Sequence, residues 1–97
     1  MNAREHLLVC LAEEAAEVVQ VVTKALRFGM HDSYPGYAEG LTNIQELRHE
    51  LHDLIAVIEM IHDDVWDILP FDRAAIDAKK AKVLKFMQYA RANGEID

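Results

Sequence analysis

Glycine and proline cut this chain into three long uninterrupted blocks, and that division limits the fold more than any other feature. The 97 residues include only four glycines and two prolines. Three of the glycines and one proline fall between Gly29 and Gly40, Pro70 makes a second break, and Gly94 a third. From Ala3 to Phe28 the apolar residues Leu7, Leu11, Val18, Val21, Val22 and Ala25 recur at helical spacing. Gly29 suits the residue just past a helix end. Thr42 or Asn43 can cap a second helix running to about Asp64, with Glu46 three residues after Asn43 as a capping-box partner. A third helix is expected from about Phe71 to Ala92, stopped by Asn93-Gly94. Val65 to Leu69 reads as a short helix of its own. No strand-like alternation or internal repeat occurs, so the expected fold is all-α, a single domain over residues 1–97 built as a bundle of three to five helices.

A domain of this length buries roughly 60–65% of its unfolded surface. Its core is therefore thin, and self-association would help it. Ten basic residues against 17 acidic ones give a net charge of −7. Such a chain is not built to neutralise nucleic-acid phosphates by itself. If its ligand is an anion, a divalent metal is the obvious source of positive charge. Cys10 is the only cysteine, so no disulfide forms within the chain and a reducing compartment fits. The apolar run before Glu13 is too short for a signal-peptide core, and no stretch approaches the roughly 20 residues of a membrane span. A cytoplasmic protein is expected.

On a helical wheel Glu14 falls inside the apolar arc of the first helix, Glu17 lies on its edge beside Val21, and Glu13 lies just outside. In the second helix Leu47, Leu51, Leu54, Ile58 and Ile61 define the inward stripe. Glu50 lies within that stripe and Asp53 at its border. Each helix thus carries an acidic pair at i, i+3 on the side that faces its neighbour. Buried carboxylates packed together must be protonated, paired with cations or bound to metal. Lys24, Arg27 and Arg48 are the few cations nearby. Carboxylate-only ligation favours Mg²⁺ or Mn²⁺ over zinc. The bland alternative is a solvated acidic face; the wheel positions of Glu14 and Glu50 speak against it.

Glu13-Glu14-Ala15-Ala16-Glu17 followed by Glu50-Leu51-His52-Asp53 resembles the ExxE…ExxD signature of the all-α nucleoside triphosphate pyrophosphohydrolases, the MazG-like proteins related to dimeric dUTPases and dCTPases. The likeness covers residues 5–62 well and the C-terminal helix loosely. It implies Mg²⁺-dependent hydrolysis of a (deoxy)nucleoside triphosphate to the monophosphate and pyrophosphate by a homodimer or homotetramer, with Mn²⁺ as a substitute metal. It would make Glu14, Glu17, Glu50 and Asp53 the metal ligands. Glu13 or Glu17 would take the proton of the attacking water, and Lys24 would contact phosphate. The chain between Glu17 and Glu50 is longer than in many members. The excess lies in Gly29–Gly40, where Tyr34 and Tyr37 belong to a longer connector or to a base-binding lid, so base preference does not carry over.

Lys79, Lys80, Lys82 and Lys85 are the one basic cluster. They read first as the wet face of a helix whose inner residues are Ile76, Val83, Phe86 and Met87. Lys79 or Lys82 could alternatively reach substrate phosphates, across a dimer interface. Trp66 and Tyr89 read as core or interface residues, and His6, His31 and His52 as surface histidines.

Two other readings compete. Glu46-x-x-His49 and Glu59-x-x-His62 have the ExxH spacing of di-iron carboxylate bundles, although both lie on one helix and His49 faces solvent. A non-enzymatic helical interaction module is the third reading, its acidic seam neutralised by Lys24, Arg27 or a partner.

Overall fold

A computed structural model describes residues 1–33, 40–64 and 66–97. The described residues form three helices and no strand: α1 (Ala3–Phe28), α2 (Asn43–Asp64) and α3 (Arg73–Ala92). None of them is long and apolar enough to cross a membrane.

Local chemistry sets each helix end. Asn2 caps α1: its side chain accepts from Glu5 N–H at 2.8 Å, and the Glu5 carboxylate accepts from Asn2 N–H at 3.1 Å. This reciprocal box satisfies two donors that the first turn leaves free. Gly29 ends α1 at φ +100°, a conformation that disfavours a Cβ. α2 is capped by Thr42, not Asn43. The Thr42 hydroxyl accepts from Gln45 N–H, and Thr42 N–H donates to the Gln45 side chain at 2.9 Å. Asp72 caps α3 by accepting from Ala74 and Ala75 N–H.

α1 and α2 pack as an antiparallel hairpin. At its loop end, Asn43 is completely buried and its side-chain amide donates to Gly29 C=O at 2.7 Å. Asn43 and Ile44 N–H, both orphan donors of the first turn, bond to Asp32 and Met30 C=O at 2.8 and 2.9 Å. At the open end, Arg4 reaches Asp64 at 3.3 Å. This register sets the middle of α1, around Glu14, opposite the middle of α2, around Glu50 and Asp53.

The core is small. Val21, Ala25 and Ile61 are the buried hydrophobic residues among those described. Leu7, Leu11, Val18, Leu47, Leu54 and Ile58 are half-buried, as their wheel positions predict, whereas Val22 and Leu51 are exposed. Two helices cover one stripe of each other, and residues at the stripe's margin need a third element to cover them.

α3 does not supply that cover. It packs against neither α1 nor α2. Of its expected inner residues, Ile76 is half-buried, while Val83, Phe86 and Met87 are exposed. Trp66 and Tyr89 are exposed too, so neither belongs to a core of this chain. Residues 66–69 are not helical. Trp66 N–H still bonds back to Ile61 C=O, and Leu69 N–H donates to His62 Nδ1 at 3.1 Å, so residues 66–69 are tied to the last turn of α2.

Candidate functional site

The hairpin register has one chemical consequence. Glu14 of α1 and Glu50 and Asp53 of α2 each place a carboxylate oxygen within 4.8 Å of the others. Glu14 and Glu50 are half-buried and Asp53 is exposed, so the group forms the wall of an open seam. Glu14 sits one turn from both Leu11 and Val18 on the packed face of α1. Glu50 follows Leu47 by three residues and precedes Leu54 by four. The apolar residues that drive the hairpin together therefore also drive these acids together.

Electrostatics record the cost. Glu50 is pushed up from 4.5 to about 7. Burial is the largest cause, followed by a hydrogen bond with Glu46 and repulsion from Glu17, Asp53 and Glu46. The metal-free seam thus holds a proton on Glu50 to a higher pH than an ordinary carboxylate would. Carboxylate oxygens are hard donors, and three of them converging from two helices suit Mg²⁺ or Mn²⁺. Glu14, Glu50 and Asp53 would hold such an ion.

The remaining candidates are distributed unevenly. Glu17 is exposed and close enough to Glu50 to raise its pKa, yet it stands outside the group of three. Glu13 is exposed on α1, and Lys24 is half-buried two turns beyond Glu17. Lys79 and Lys82 lie on α3, away from the carboxylates because α3 does not join the hairpin; the Lys82 ammonium instead lies 5.9 Å from the ring of its own Phe86. Tyr34 and Tyr37 lie outside the described residues.

Glu46, which the sequence offers as a capping-box partner and as part of an ExxH motif, instead hydrogen-bonds with Glu50. The signal was present: Glu46 is four residues before Glu50, one turn away on the same face. It is half-buried and lies 4.0 Å from His49. The histidines do not join the acidic group. His49 is largely exposed, and His62 Nδ1 accepts the Leu69 N–H. Neither histidine of the two ExxH motifs therefore stands in the group of three carboxylates.

Comparison with known proteins finds no matching family model, no matching curated protein and no matching solved structure.

Proposed function

We propose that this chain is a divalent-metal-dependent nucleoside triphosphate pyrophosphohydrolase, acting on a (deoxy)nucleoside triphosphate to give the monophosphate and pyrophosphate. The observation that supports it best is the meeting of Glu14, Glu50 and Asp53 within 4.8 Å across two helices. Those residues are members of the ExxE…ExxD pattern that resembles the MazG-like signature. The reading extends to a cytoplasmic setting, for which a single cysteine is suited.

A Mg²⁺ or Mn²⁺ ion bound there supplies Lewis acidity toward phosphate oxygens and lowers the pKa of water. The chain's own residues have separate tasks. Glu14, Glu50 and Asp53 would hold the cation, which would offset most of their mutual repulsion. Glu17, beside Glu50 but outside the group of three, accepts the proton of the attacking water. Attack at the α-phosphorus forms one P–O bond and breaks the bond to the α–β bridging oxygen, so that pyrophosphate leaves. Lys24, two turns along α1 from Glu17, contacts phosphate in this reading. An acidic seam without metal repels a triphosphate, so substrate binding depends on the cation.

The test is a panel of common nucleoside and deoxynucleoside triphosphates incubated with Mg²⁺ or Mn²⁺, with monophosphate and pyrophosphate both measured. Equimolar release of the two from at least one substrate, abolished by EDTA, is expected. No release from any member of the panel, or release of orthophosphate alone, overturns the reading.

A further inference from the structure

The segment that leads from the hairpin to α3 is held to α2 by two hydrogen bonds among the described residues. Trp66 N–H reaches Ile61 C=O at 3.4 Å, beyond the usual range, and Leu69 N–H donates to His62 Nδ1 at 3.1 Å. The second is the better bond, and it comes from a side chain in the last turn of α2. Ile68 N–H turns back on Trp66 C=O at 3.0 Å, within the segment itself. The hold of α2 on this segment therefore rests chiefly on one imidazole nitrogen.

The bond fixes the state of the ring. An imidazole nitrogen accepts only when it carries no hydrogen, so His62 is neutral here, with its proton on Nε2. A protonated ring has N–H at both positions and cannot receive Leu69 N–H. Leu69 is half-buried, so its donor then loses a partner that water replaces poorly. The Asp67 carboxylate lies 3.8 Å from the same Nδ1, in range of the hydrogen that protonation adds. One nitrogen thus serves two partners in turn, a backbone donor when bare and a carboxylate when protonated.

The two arrangements hold the segment unequally. The Asp67 side chain is 93% accessible, and an ion pair so open to water is weak. The charged ring gains further support from its place in the last turn of α2, where the free carbonyls favour a cation. The other charged groups at this end of the hairpin are Arg4, Glu5 and His6 on α1 and Glu59, Asp63 and Asp64 on α2. Arg4 is paired with Asp64, and Glu5 accepts Asn2 N–H. α3 packs against neither helix and adds no charge here. Among the described residues, Asp67 alone stands in ion-pair range of His62.

We propose that His62 is a proton-operated latch on the segment that carries α3. The neutral ring holds Leu69 N–H against the end of α2. Protonation exchanges that partly buried bond for an exposed ion pair with Asp67 and releases residues 67–69 from the helix end. Histidine is the side chain that ordinarily changes charge between about pH 5 and 8, so mild acidification operates the latch. α3 contains six of the ten basic residues of the chain and touches neither other helix. The hold on this segment is therefore the hold on the main positive element of an acidic protein. The latch stands whether or not the carboxylate seam binds metal.

The test is NMR of the full-length, ¹⁵N-labelled protein without metal, titrated from about pH 8 to about pH 5. At the high end the ring nitrogens of His62 are expected to show the Nε2–H tautomer. As the ring takes up its second proton, the Leu69 amide should shift along the same curve. Its exchange with water, corrected for the intrinsic effect of pH, should quicken about two- to tenfold, the worth of one hydrogen bond. In Asp67→Asn the ring should protonate at lower pH, with the Leu69 amide still following it. His62→Gln should abolish the response of the Leu69 amide, which separates it from any titration of Glu50. The proposal is overturned by an Nδ1–H tautomer, by a Leu69 amide unmoved through the His62 titration, by an unchanged response in His62→Gln, or by an Asp67→Asn ring that titrates as in wild type.

Discussion

Glu14 on α1 and Glu50 on α2 meet across the hairpin with oxygens no more than 4.8 Å apart, and Asp53 completes the group. The same burial of Leu11, Val18, Leu47 and Leu54 that favours the hairpin forces this juxtaposition. Folding of the metal-free chain therefore works against its own electrostatics, and that opposition is measurable.

The pH dependence of stability follows from Glu50. Its carboxyl titrates near 4.5 when unfolded and near about 7 when folded, so between those values the native state binds more protons than the unfolded state. The contribution of Glu50 to stability is thus greatest below about 4.5, declines as pH rises toward about 7 and is flat above that. With screening at a half-buried site, about 1–2 kcal/mol is expected to be lost across the window. Urea unfolding without divalent metal at pH 5 and pH 7.5 measures it, and Glu50→Gln should remove the difference attributable to this group.

Glu50→Gln should also separate stability from function. At pH 7.5 without metal the amide spares the seam a charge, and the variant is expected to be more stable than wild type by about 1 kcal/mol. With Mg²⁺ it should lose pyrophosphate release by at least about 100-fold, since a hard cation loses a charged ligand. A variant both less stable and fully active would contradict both roles.

Glu17 and Asp53 should fail differently. Asp53→Asn is expected to weaken Mn²⁺ binding and activity together. Glu17→Gln is expected to keep Mn²⁺ binding within a few-fold while lowering kcat about 10²–10⁴-fold, the range of a lost general base. Steady-state kinetics alongside direct metal titration distinguishes the two patterns.

Stability within the hairpin should rest on burial more than on surface charge. Ile61, 2% exposed, is expected to cost about 2–4 kcal/mol as Ile61→Ala. Asn43→Ala removes the donor to Gly29 C=O and should cost about 1–3 kcal/mol. Arg4→Ala breaks a pair whose side chains are largely open to water and should cost less than about 1 kcal/mol. Chemical denaturation of the three variants at one pH gives this order or refutes it.

Much of this architecture is legible in the residues because local chemistry decides it. Gly29 and Asn93-Gly94 end helices at the expected places, and α1 spans the range that its freedom from glycine and proline allows. Glu14 and Glu50 stand out because they interrupt apolar stripes. Glu46 was obscured by a second explanation, a capping box that Thr42 and Gln45 form instead. Residues 66–69 have helix-compatible side chains, yet they are not helical and are tied back through Leu69 N–H to His62. The stripe on α3 shows that a face must be covered, but periodicity carries no information about which surface covers it. Val22 and Leu51 are exposed for the same reason: their wheel positions border a seam that two helices cannot fill.

The convergence of acids on a cation is tested most directly by calorimetric titration of the metal-free protein with Mn²⁺ at pH 7.5, in buffers of different ionisation enthalpy. Saturable binding accompanied by proton release is expected, abolished in Glu14→Gln and Glu50→Gln. Absence of binding up to millimolar Mn²⁺, or binding that both variants retain unchanged, would contradict a metal role for the seam.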